Sequence, residues 1–508
     1  MKLYNKFFSR WTGVALLATM GLFACQPEIE VITPTSGTAD FTTYIALGNS
    51  LTAGFADNGV YRESQENSYP EMMAKSMREV NASLVFKTPL MPEGNGSGYL
   101  QLVGGAPAPV PADPAWRNSV ASGGPYQNMG VPGARVKSLT QVGYGSSQGN
   151  PYYERFASNP LATIVGEAAA QNPTFFTLWI GNNDVLGYAT SGGDQGGNTI
   201  TPIDEFKADF DKIIAGMNGA SGGAIANIPN ILAAPFFTTA PFNAFVLDAA
   251  LAARVNAGIE ATIKGGIRQQ AEASRPAITA QVTAGLRQGR IAAGVAAGLS
   301  EAVAAAAADA YIASAAGEAD IATRVQGAID GAVESNYTAI PVQFRPTVKE
   351  GANPFIVQGE RSPTNPTGLR SATDKDLILL TVLGYTGSPA FAALPVLPER
   401  FVLDVSEQAK VNAAIEAYNG VIEAAAGSKY AYVNINTFFS KVISGFSYQG
   451  VGYSPSFVTG GAFSLDGIHL TQRGYALAGN EFIKAINAKY NSKLSLINVN
   501  DYRGILFP

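Results

Sequence analysis

The sequence predicts an α/β fold: a parallel sheet covered by helices on both faces. Three observations carry that prediction. Short, strongly apolar runs recur along the chain and read as buried strands. Segments of helical periodicity lie between them. The runs are apolar throughout instead of alternating with polar residues, as expected of strands buried on both faces.

Thr43–Leu47 is the first apolar run, and Gly48-Asn49-Ser50 turns it into a helix. Residues 87–160 are rich in Gly, Pro, Asn and Ser and read as mostly irregular. Thr174–Ile180 is a second buried strand, again ending in glycine. Ile203–Met217 has helical spacing, with Phe206, Phe210, Ile213 and Ile214 on one side, and Ala224–Leu232 follows as a strand. Residues 245–335 break the alternation. They are dominated by Ala, which favours helix, and Gly, which opposes it. They read as a helical insertion of several segments, either a cap over a site or a structural hairpin. Residues 341–374 are proline-rich and are expected to return the chain to the α/β body. Glu407–Ala425 is helical, Tyr430–Ile435 is a strand, and Arg473–Tyr490 is a closing helix.

The bulk properties bound the function. The chain has 508 residues, 46% hydrophobic and 14% charged, enough for one large domain with insertions or for two to three domains. A net charge of −5 lacks the basic footprint that nucleic-acid binding needs. The single cysteine, Cys25, and the single histidine, His469, nearly exclude a structural zinc site, which draws several ligands from these two residue types.

The N-terminus reads as an address. Lys2, Lys6 and Arg10 precede an apolar run, Trp11–Ala24, that is short for a membrane-spanning helix and has the layout of a secretory signal. Leu22-Phe23-Ala24-Cys25 resembles a bacterial lipobox, whose cysteine receives lipid after cleavage just before it. The expected organisation is a signal peptide over 1–24, a tether over 25–39, a first core segment over 40–240, the helical insertion over 241–345, and the proline-rich return with the second core segment over 346–508. The expected location is the cell envelope, anchored to the outer membrane through lipid on Cys25.

The candidate chemistry starts at Ser50. A serine where a buried strand gives way to a helix sits at the carboxyl edge of the sheet, the ligand-binding side of open α/β sheets. Serine is also a good helix cap, so Ser50 alone decides nothing. Two other serines match G-x-S-x-G: Ser147 in Gly145–Gly149 and Ser221 in Gly219–Gly223. That pattern needs a strand before it and a helix after it. Ser147 lies inside a Gly/Ser loop and Ser221 lies between a helix and a strand, so both read as turn residues. A serine hydroxyl needs a neighbouring base, and His469 is the one imidazole available. Asp466, three residues before it, can orient that ring. Gly181-Asn182-Asn183-Asp184 would place an asparagine side chain at the same sheet edge, and Asn128–Gly133 would place a glycine N–H there.

Together these blocks resemble the SGNH/GDSL hydrolase family. Gly48-Asn49-Ser50-Leu51 stands for its G-D-S-L, with Asn49 in place of the aspartate. Gly133 stands five residues after Asn128, as in N-x-x-x-x-G. Gly181–Asp184 stands for G-x-N-D and maps the family's asparagine onto Asn183. Asp466 and His469 stand for D-x-x-H. The resemblance implies a three-layer αβα sandwich with a central parallel sheet, akin to a flavodoxin-like fold. It also implies hydrolysis of a carboxylic ester through an acyl-enzyme, without metal or organic cofactor. Ser50 would be nucleophile, His469 base and Asp466 its orienting carboxylate. The N–H groups of Ser50 and Gly133 and the Asn183 side chain would form the oxyanion hole. The expected partner is an ester substrate, whether small molecule, lipid or acylated glycan. A carbohydrate or peptidoglycan acyl-esterase and a catalytically silent binding lipoprotein are the alternatives.

Overall fold

The computed structural model describes residues 33–193, 197–363 and 365–505. Five parallel strands form the central sheet: β1 (Tyr44–Gly48), β2 (Asn128–Gly130), β3 (Phe175–Trp179), β4 (Gly222–Ala226) and β5 (Ala431–Val433). Their order across the sheet is β2-β1-β3-β4-β5. This is the flavodoxin-like doubly wound order, and its strand sequence reverses between β1 and β3. Gly48 pairs with Gly130 on one side and with Trp179 on the other, so these strands finish level. Loops leaving β1, β2 and β3 therefore converge on one edge.

Helices cover both faces, as the apolar strands require. On one face, α1 (Tyr69–Arg78) and α2 (Gln472–Tyr490) pack together. There Tyr69 stacks on Phe482 with centroids 4.9 Å apart, and both rings meet fully buried Trp179 from β3. On the other face, α3 (Ile203–Gly216) packs against α4 (Val405–Ala426). Phe206 and Tyr418 stack across that contact at 3.9 Å. The expected α/β class with a central parallel sheet and flanking helices is thus the observed one.

Two readings of the sequence need correction. The stretch 87–160, expected to be mostly irregular, contains β2, an edge strand of the central sheet. Three residues with two flanking glycine-rich turns are too short to show periodicity. Gly130 is required there by contact, because a Cβ would lie 2.3 Å from the Ala53 nitrogen. The strand expected over Ala224–Leu232 is shorter, ending at Ala226, where Asn227 and Asn230 leave the sheet through side-chain bonds to Tyr432 and to backbone amides.

The alanine-rich region folds as helices α5 (Ala249–Ala273), α6 (Arg275–Ala296), α7 (Glu301–Ile312) and α8 (Ala315–Ala339). Val255, Ile259, Ile263 and Ile267 on α5 share a second hydrophobic core with Val333 of α8. Phe355, Ile356, Val357, Phe391 and Val396 join that same core, so the segment after the helices packs with them before the chain re-enters the sheet. Helix α6 has no buried side chain. Among the described residues no helix is long and apolar enough to cross a membrane. Cys25 and the proposed signal peptide lie outside the described residues.

Candidate active site

Ser50 opens a single helical turn, Ser50–Ala53, directly after β1. Asn49 caps that turn, its side-chain oxygen accepting the Leu51 N–H at 3.0 Å. The cap role open to Ser50 in the sequence is therefore taken by its neighbour, and the serine hydroxyl is free for other use. The amide of Asn49 also donates to the Asn182 side chain at 3.3 Å, linking the β1 and β3 loops across the switch point.

His469 arrives from the far end of the chain. Its Nε2 lies 2.9 Å from Ser50 Oγ and its Nδ1 lies 2.8 Å from Asp466 Oδ2. The loop that presents them is a closed turn. The Ser464 N–H donates to the His469 carbonyl at 2.8 Å, and the Gly467 N–H donates to the Ser464 carbonyl at 2.9 Å. Gly467 has φ +72°, and a Cβ there would lie 2.9 Å from the Phe236 nitrogen, so the middle of D-G-I-H needs glycine for both reasons. The second oxygen of Asp466 accepts the N–H groups of Ile468 and His469, each at 2.8 Å. Burial pushes the Asp466 carboxyl up, but the facing imidazole and these N–H bonds outweigh it. They hold the group well below the usual carboxylate range. A carboxylate so held stays ionised and keeps a proton on the near nitrogen of His469, leaving the far nitrogen to accept from Ser50.

The oxyanion candidates sit on the same edge. Asn183 donates one amide hydrogen to the Ala134 carbonyl at 2.8 Å, which ties it to the Gly133 turn and leaves its second hydrogen available. Gly133 is exposed with φ +79°, and the nearest atom to a Cβ there is 3.8 Å away. Among the described residues, neither the Ser50 N–H nor the Gly133 N–H donates to a protein acceptor. Ser50, Asn183 and His469 line one cavity of about 50 Å³, together with Asn49, Asn182 and apolar residues from the loops after β3 and β4. Gly133 is not among the lining residues, and no lining residue comes from α5–α8. A larger cavity of about 700 Å³ lies beside Thr42, Thr43 and Gln127, at the amino edge of β1 and β2, away from these groups. Chemistry, not size, picks the site.

The rival serines are placed elsewhere. Ser221 precedes β4 at the opposite edge of the sheet and donates to the Thr174 carbonyl, while the 145–149 glycine pattern forms turns.

Part of the sequence that builds this site is similar to a known family. Residues 44–278 match the family model described as GDSL-like lipase/acylhydrolase. The matched stretch is similar to that family. The match supports an ester-hydrolysing activity in general terms. Neither a curated protein nor a solved structure matches the chain. The GDSL-like stretch contains Ser50, Gly133 and Asn183 and ends inside the α6 helix, before Asp466 and His469. Only the fold, through the Ser50–His469 contact, joins the second half of the constellation to the first.

Two features of this site escaped the sequence reading. The Phe55 ring lies against His469 with centroids 4.4 Å apart. Asp57 and Asn58 both have left-handed backbones, φ +53° and +63°. The Asn58 N–H donates to Asp466 Oδ2 at 3.0 Å. The Asp57 N–H donates to Ser464 Oγ and its carboxylate accepts the Leu465 N–H, each at 2.9 Å. A D-N-G string favours left-handed turns and was visible in the sequence, but its partner loop, 408 residues away, was not.

Proposed function

We propose that the chain is a serine esterase that hydrolyses carboxylic esters through an acyl-enzyme. The observation that carries this reading is the unbroken hydrogen-bonded path from Asp466 through His469 to Ser50 at the switch point of the sheet. Ser50 Oγ attacks the ester carbonyl while His469 Nε2 takes its proton. Asp466 stabilises the imidazolium that results. The oxyanion of the tetrahedral intermediate receives the N–H groups of Ser50 and Gly133 and the spare amide hydrogen of Asn183. His469 then gives its proton to the leaving alcohol, and the acyl group stays on Ser50. Water enters, loses a proton to His469 and bonds to the acyl carbon; the bond from that carbon to Ser50 Oγ then breaks, His469 returns the proton to Ser50 Oγ, and the acid leaves. Each oxyanion donor of this type contributes about 3 kcal/mol to the barrier reduction.

Cys25 is the proposed site of lipid attachment, placing the enzyme in the cell envelope, on the outer membrane. The lipobox-like Leu22–Cys25 supports this part of the proposal.

The test compares the chain lacking residues 1–25 with its Ser50→Ala variant on p-nitrophenyl acetate and with a serine-directed phosphonate. Turnover and labelling by the parent, with loss of both in Ser50→Ala, is the expected result. If the parent does neither, the esterase reading fails and a binding role takes its place. Incorporation of labelled fatty acid into the full chain, abolished in Cys25→Ser, tests the anchor.

A further inference from the structure

We infer that this enzyme takes short acyl groups, acetyl to about butyryl, and rejects long-chain lipid esters. The inference rests on the esterase reading and concerns the cavity beside Ser50.

That cavity is small and its surface is almost wholly apolar. Ser50 and His469 sit at one side. Trp179, fully buried at the end of β3, and Leu186 from the helix that follows it form a second. The loop after β4 supplies Ile231, Ala233 and Ala234, and the helix Ile435–Ser444 supplies Phe439 and Ile443. An apolar recess next to an attacking hydroxyl suits the hydrocarbon of an acyl chain. It suits a sugar or peptide poorly, because their hydroxyls and amides would go unpaired there.

The size sets the limit. At about 50 Å³ the recess has room for only a short run of carbons beside the carbonyl. Beyond the carbonyl carbon, acetyl needs one carbon, butyryl three and octanoyl seven. Sites for larger organic ligands typically measure about 300–1,000 Å³. Packed rings form part of its wall: Phe439 and Phe463 are both buried and meet at 5.8 Å, and Phe439 packs edge-on against Phe438 at 5.6 Å. Close-packed rings of this kind do not yield to a chain for free.

The experiment measures kcat/KM of the chain lacking residues 1–25 on p-nitrophenyl acetate, butyrate, octanoate and palmitate, with Ser50→Ala as the blank. Expected is a maximum at acetate or butyrate and a loss of at least tenfold at octanoate. Phe439→Ala should raise the octanoate-to-acetate ratio at least tenfold by opening the wall. Ile443→Ala should move it the same way through a smaller lesion, and covers the case in which Phe439→Ala does not fold. Ser50-dependent turnover that is as fast on octanoate as on butyrate overturns the inference and leaves the esterase reading intact. So does a chain-length profile unmoved in both folded variants. Absence of Ser50-dependent turnover on every ester overturns both.

Discussion

Asp466→Asn isolates the part of the mechanism that depends on a proton's position. The two carboxylate oxygens of Asp466 have different tasks. One accepts the Ile468 and His469 N–H groups, and the other meets His469 Nδ1 and the Asn58 N–H. Turning the amide round would set NH₂ against two N–H groups at 2.8 Å, whereas the other orientation opposes only the Asn58 N–H at 3.0 Å, so the asparagine oxygen stays toward the paired backbone donors. The amide nitrogen then faces His469 Nδ1, which becomes an acceptor. The ring proton moves to Nε2, 2.9 Å from Ser50 Oγ, and the base can no longer take the serine proton. An enforced wrong tautomer of this kind costs on the order of 10⁴ in kcat, or about 5.5 kcal/mol. The assay is kcat on p-nitrophenyl acetate for parent and variant, with thermal unfolding as a control for folding. An Asp466→Asn enzyme that is folded and within tenfold of the parent kcat would refute the assignment of Asp466 as the orienting carboxylate.

Three further outcomes are expected. Asp57→Ala removes the acceptor of the Leu465 N–H and of the Tyr61 hydroxyl, so the catalytic loop should loosen: kcat falls about 10- to 100-fold while Asp57→Asn, which keeps one acceptor oxygen, stays within about fivefold. Equal kcat values for the two variants would dismiss the clip. Gly130→Ala drives a methyl into the backbone at Thr52 and Ala53, two to three residues from Ser50. It should destabilise by about 1–3 kcal/mol and cut kcat at least tenfold, read by urea unfolding and ester turnover; an unchanged urea midpoint would contradict the contact. Burial pushes the Asp184 carboxyl up to about 6. The folded protein thus holds a proton that the unfolded chain releases near pH 4. This contribution to stability is present below that pH and is lost as pH rises through about 6, by up to about 3 kcal/mol. Asp184→Asn can still accept the Val136 N–H and donate to the Thr201 hydroxyl, so its urea midpoint should fall less than the parent's between pH 4.5 and 7.5. A parallel fall in both proteins would reject the shift.

Much of the sheet was legible because its signal is local. Thr43–Leu47 and Thr174–Ile180 are continuous apolar runs, and such runs have few stable fates other than a buried strand. The edge strand Asn128–Gly130 was not legible. Its three residues are held by pairing with β1 and by the absence of a Cβ at Gly130, neither of which leaves a periodic trace. The expected return of residues 341–374 to the α/β body likewise missed the second core, because which apolar surface a strand of three residues joins depends on what lies next to it in space.

By itself the sequence determined the cast of the site: one histidine in the whole chain leaves one possible imidazole base, and strand order separates Ser50 from the two serines with the better-known pattern. Tertiary structure decided the distances. Ser50 and His469 are 419 residues apart and meet at 2.9 Å because a doubly wound sheet brings the β1 exit and the loop before the last helix to one edge. It also decided the Asp57–Asn58 clip and the size of the recess beside Ser50. Those depend on contacts between segments far apart in the chain, and such contacts are fixed by packing, not by neighbours in sequence.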